Sequence, residues 1–183
     1  MGQRPDWKAF ELLELPLHEV EENHFATCMV CKPQWHRSAF AYHEATHAAV
    51  AQHLDLPVEF VAIDEDQEIE VTFEEAALYP VIHPGMKIPA LGTRLSPGTL
   101  RRHPVRVLTA MVAPSCVSTG YPHVDSYAAV EACIGVESAK ARGFDPDMIL
   151  DRAKRTVELL PVQKQILHLA GWLALAGWVD LGG

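Results

Sequence analysis

Hydrophobic and polar positions divide the chain into a series of helical patterns with one β-like stretch among them. Trp7 to Leu15 (WKAFELLEL) has amphipathic helical spacing and is stopped by Pro16, whereas His18 to Arg37 is polar and has no period. Ser38 suits the N-cap of a helix of small apolar residues that runs to about His53 before Pro57 ends it. Val58 to Ile63 (VEFVAI) and Glu68 to Phe73 (EIEVTF) are β-branched and aromatic with partial alternation, which predicts two strands that pair. Pro80 to Pro97 holds four prolines and two glycines and predicts a long loop. Four helices follow: Leu100 to about Ser118 with Pro104 near its start, Asp125 to about Ala141, Asp145 to Leu160, and Pro161 to about Ala176. The pattern is mainly α (α+β) with a small two- or three-stranded sheet. A domain over 38–183 is preceded by an N-terminal helix and irregular extension over 1–37.

Composition narrows the function classes. A chain of 183 residues is long enough to bury a core, and a formal net charge of −9 argues against a phosphate-binding surface and so against nucleic acid. No basic start is followed by an apolar core near Met1, and the longest apolar run, Ile166 to Val179, is too short to cross a bilayer. Four cysteines with one C-x-x-C do not make a disulfide framework at this length. The expectation is a cytoplasmic protein without a membrane partner.

Candidate chemistry lies in the first long helix, which reads Phe40-Ala41-Tyr42-His43-Glu44-Ala45-Thr46-His47-Ala48. Four residues advance a helix by slightly more than one turn, so the H-E-x-x-H spacing stacks His43 and His47 on one face. Two neutral imidazoles there can share one Zn²⁺, and Glu44, one step round, can address a metal-bound water. A catalytic zinc normally takes three protein ligands and keeps a position for water. His53 stands at a metzincin-like spacing. Val50 occupies the position where that motif breaks its helix with Gly, so a continuing helix turns His53 away. Carboxylates on a later helix remain: Glu131, Glu137 or Asp125, the last at a helix start after Thr119-Gly120-Tyr121-Pro122.

Residues Ala39 to Gly182 resemble the peptidase domain of FtsH-type AAA zinc proteases. Ala41 to Ala48 match the family's A-x-H-E-A-G-H-A helix, and Ala110 to Val117 loosely match its A-L-A-G-x-A-A-E helix. Val124-Asp125-Ser126-Tyr127-Ala128-Ala129 stands where the family has S/N-D-L-x-x-A, and Leu169 to Gly182 echoes its final element. The resemblance implies a zincin-like fold, a zinc peptidase activity, and Asp125 as the third ligand. Thr46 stands where the family has Gly, Val117 where it has Glu, and no phosphate loop of an ATPase module is found. A stand-alone, ATP-independent relative is therefore implied.

On this reading His43, His47 and Asp125 hold Zn²⁺, and Glu44 is general base toward a metal-bound water that attacks the peptide carbonyl. The substrate is a peptide or protein, and Val58 to Ile63 is the candidate edge strand that aligns it. The alternative is a non-catalytic, zinc-stabilised domain that binds a partner, which Thr46 and Val117 favour. His24, Cys28, Cys31 and His36 could chelate a second, structural zinc. His123 could substitute as a ligand or support one. Cys116 and Cys133 read as core residues, and Trp172 and Trp178 as core or homo-oligomer contacts.

Overall fold

The computed structural model describes residues 33–70 and 87–182. Its elements in chain order are α1 (Pro33–His53), β1 (Val58–Glu70), β2 (Lys87–Leu95), α2 (Thr99–Arg102) and α3 (Pro104–Val112). A 3₁₀ turn (Ala113–Cys116), α4 (Pro122–Ala141), α5 (Pro146–Val157), α6 (Leu160–Ala176) and β3 (Trp178–Asp180) complete it. Helices dominate, with one antiparallel three-stranded sheet in the order β2-β1-β3.

Helix α1 is central because small side chains line it on every side. Ala41, Ala45, Ala48, Ala49, Val50 and Ala51 are all buried, and alanine lets neighbouring backbones approach closely. Helix α6 lies along it, β1 and α3 pack against it, and the core continues through Leu108, Val112, Ile149, Ile166 and Leu173. Proline opens helices α3, α4 and α5 at their first position, where a missing N–H leaves no bond unmade. Asp145 caps α5 by accepting from the Asp147 N–H at 3.0 Å. Gly177 closes α6 in the left-handed conformation (φ 77°), donating its N–H to the Leu173 carbonyl.

Several sequence expectations are corrected. Helix α1 starts at Pro33 rather than after a Ser38 cap. The two expected strands are one long strand, β1, with a register irregularity between Asp64 and Glu68; residues 71–73 lie outside the described residues. Its partner β2 lies inside the stretch read as loop, because a strand with one free edge tolerates Pro89. The expected helix from Leu100 to Ser118 is three pieces, divided at His103 before Pro104 and tightened into a 3₁₀ turn at Pro114. Val58 to Ile63 is no edge: β1 pairs with β2 on one side and, at Phe60 to Ala62, with β3 on the other. Strands β2 and β3 are the outer strands.

Candidate metal centre

Helix α1 delivers three of the four central side chains. His43 and His47 stack one turn apart, with ring centroids 4.9 Å apart in an edge-to-face arrangement. Their Nε2 atoms are 3.2 Å apart. Helix α4 crosses opposite and supplies Glu131, whose Oε2 lies 2.8 Å from His43 Nε2 and 3.2 Å from His47 Nε2. Three potential ligand atoms thus form a nearly regular triangle. All of these side chains are buried, with His43 1 %, Glu44 5 %, Glu131 6 % and His47 9 % exposed.

The triangle fits a divalent metal. Tetrahedral Zn²⁺ with bonds of about 2.0–2.2 Å holds its ligand atoms roughly 3.3–3.5 Å apart, within about half an ångström of each observed side. Two imidazole nitrogens and one carboxylate oxygen are also a donor set that suits zinc. The His47 Nδ1–H donates to the Ala110 carbonyl on α3 at 2.9 Å, which leaves Nε2 as the nitrogen that faces the centre. His43, Glu44 and His47 can likewise bring one ligand atom each within 4.8 Å of one another. The Glu44 carboxylate is the more distant one, with Oε1 3.9 Å from His43 Nε2, and its Oε2 has no hydrogen-bond partner among the described residues.

Electrostatics separate the two glutamates. Burial pushes the Glu44 carboxyl up, beyond the downward pull of His43 and His47, and Glu131 adds to the rise. Glu131 is equally buried, but direct contact with both imidazoles overrides the burial and holds it down at about 2. Burial alone would depress His47; the Glu131 charge and hydrogen bond instead raise it to about 9. A carboxyl whose pKa is raised beside one whose pKa is lowered is the pairing in which one group binds and the other moves protons.

Asp125, the ligand that the family resemblance implies, has other partners. Its carboxylate accepts from Ser118 Oγ at 2.7 Å, from the Thr119 N–H at 2.8 Å and from Thr119 Oγ1 at 2.7 Å. Partial burial would raise its pKa, but these donors and the nearby His43 charge lower it. Asp125 therefore ties the 117–121 turn to the first turn of α4, beside the centre. Glu137 is exposed and paired with Lys140 at 2.7 Å, and His53 is exposed at the end of α1. Val117 is a half-buried side chain packed on the core. Cys133 is exposed and Cys116 half-buried, so neither is the core residue expected. Trp178 is half-buried and stacks on Phe60 at 4.2 Å, while Trp172 is exposed. His24, Cys28 and Cys31 lie outside the described residues, as do the side chains of His36 and His123.

Strand β2 borders the centre. Thr93 Oγ1 donates to the Glu44 carbonyl at 3.2 Å, and a methyl group added at Gly92 would sit 3.9 Å from Glu44 Oε2. Gly92 has φ 123°, a conformation that side-chain-bearing residues rarely adopt. No described helix is long and apolar enough to cross a membrane. No protein-family model matches the chain, and neither does any curated protein or solved structure.

Proposed function

We propose that the chain is a zinc-dependent peptidase, with His43, His47 and Glu131 as metal ligands and Glu44 as general base. The observation that carries this reading is the convergence of two Nε2 atoms and Glu131 Oε2 within 2.8–3.2 Å, beside a buried Glu44 oxygen that has no hydrogen-bond partner among the described residues. Zn²⁺ bound there would polarise the scissile carbonyl and lower the pKa of a coordinated water toward about 7. Glu44, with its raised pKa, then accepts the proton of the attacking water and passes it to the leaving amine nitrogen. The outer edge of β2, which pairs only with β1 among the described residues, offers an extended substrate backbone a row of hydrogen-bonding groups.

The test is metal analysis with peptide hydrolysis. Purified protein should carry about one zinc, hydrolysis should stop on chelation and return with zinc, and Glu44→Gln should keep the metal while losing turnover. Retained turnover in Glu44→Gln sinks the assignment. A second reading, a zinc-stabilised domain that binds a partner without catalysis, is favoured by the burial of the whole centre. It predicts zinc in the wild type with no hydrolysis at all.

A further inference from the structure

The two imidazoles are held in different ways. The His47 ring is fixed by its Nδ1–H bond to the Ala110 carbonyl. His43 Nδ1 is buried and has no hydrogen-bond partner among the described residues. No carboxylate or carbonyl among the described residues orients the ring from that nitrogen. Packing does the work there instead. The Tyr127 ring lies against the His43 ring with centroids 5.2 Å apart and planes tilted by 54°. Phe40 meets Tyr127 edge-to-face at 6.1 Å and 68°.

The spacing makes this arrangement a consequence of the two ligand-bearing helices. Phe40 precedes His43 by three residues on α1, and Tyr127 precedes Glu131 by four on α4, so each aromatic ring shares a helix face with a ligand. The His43 imidazole has both the Tyr127 ring and the His47 ring against it, with centroids 5.2 and 4.9 Å away. Rotation about its Cβ–Cγ bond would swing Nε2 off the triangle, and no described residue bonds Nδ1 to oppose that.

We infer that Tyr127 is a positioning residue for the metal centre: its ring, braced by Phe40, holds the His43 imidazole with Nε2 toward Glu131 and His47. The inference rests on the metal-centre reading above. The assignment rests on the contact between the two rings and not on the phenolic hydroxyl.

The experiment measures zinc affinity on the full chain by competition with a chromophoric chelator. It compares the wild type with Tyr127→Phe, Tyr127→Leu, Phe40→Leu and His43→Ala, and records thermal melting of each metal-free protein. Tyr127→Phe should bind within about twofold of the wild type, whereas Tyr127→Leu should bind about tenfold more weakly with its metal-free melting little changed. Phe40→Leu should show a smaller loss in the same direction. Co²⁺ substituted for zinc should give altered visible absorption bands in Tyr127→Leu, a change that a purely structural role would not produce. Wild-type affinity in Tyr127→Leu overturns the positioning role, and an equal loss in Tyr127→Phe overturns the claim that the ring face acts. If the wild type fails to bind zinc, or His43→Ala binds it unchanged, the metal-centre reading falls and the positioning role falls with it.

Discussion

Gly135→Ala separates tertiary packing from helix propensity in one substitution. Gly135 lies inside α4, four residues beyond Glu131, and a Cβ there would stand 2.6 Å from Val112 Cγ1 and 3.7 Å from Met111 Sδ on α3. In an exposed helix interior the change would stabilise by about 1 kcal/mol, since glycine is the poorer helix former. Here Val112 is fully buried, and its β-branched side chain has one strongly preferred rotamer in a helix, so it cannot swing aside. Overpacking of that kind costs about 1–3 kcal/mol. A contact under 3.0 Å against a locked side chain belongs at the upper end, which leaves a net loss of about 1–2 kcal/mol. For a protein of this size the metal-free melting temperature should fall by about 2–8 °C. Gly171→Ala is the internal control: it sits in α6 with no atom within 4 Å of the added methyl, so it should raise the melting temperature by about 2–4 °C. Calorimetry on the two variants decides the matter. If Gly135→Ala melts at or above the wild type, the close approach of α3 and α4 is not what the glycine serves.

Three further outcomes are expected. Glu131→Gln should abolish stoichiometric zinc binding measured by atomic emission, whereas Asp125→Ala should retain the metal and lower stability by about 1 kcal/mol through its lost hydrogen bonds; the reverse pattern would return the third ligand to Asp125. Glu44→Gln should bind zinc as the wild type does while hydrolysis of a peptide library falls by a factor of 10² or more. The stability of metal-free protein should depend on pH through His47: its folded value of about 9 lies above the ordinary 6.5, so the contribution is complete below pH 6.5 and is lost as pH rises through about 9. Urea midpoints that are flat between pH 6 and 10 would refute that coupling.

The helix of the candidate site was legible because its signal is local. H-E-x-x-H fixes His43 and His47 on one face of any uninterrupted helix, and the alanines around them announce a buried element. The proposed third ligand was not legible from spacing, since both Asp125 and Glu131 lie on α4 and only tertiary packing sets Glu131 against both rings. The residue that touches both rings, Glu131, did carry a signal: it is a single charge within Ala128-Ala129-Val130-Glu131-Ala132-Cys133-Ile134, where an unpaired carboxylate would be costly. Asp125 instead occupies hydrogen-bond donors supplied by the preceding turn, a local use that suits an aspartate near a helix start equally well. Strand β2 was hidden because proline and glycine ordinarily mark loops, and their tolerance at a free sheet edge depends on a partner strand many residues away. The breaks at Pro104 and Pro114 were within reach of the sequence, because each proline removes a helical donor.

Strand β3 is only three residues long, yet its placement governs how the sheet meets other chains. It lines up with Phe60 to Ala62, the Ile63 N–H donates to the Gly177 carbonyl at 2.7 Å, and the Leu181 N–H donates to the Glu59 carbonyl at 2.9 Å. Trp178 lies flat on Phe60, so a strand that replaced β3 against β1 would have to displace an indole as well as break these bonds. Among the described residues, β3 thus holds one side of β1, while β2 carries the outer edge on the flank beside Glu44.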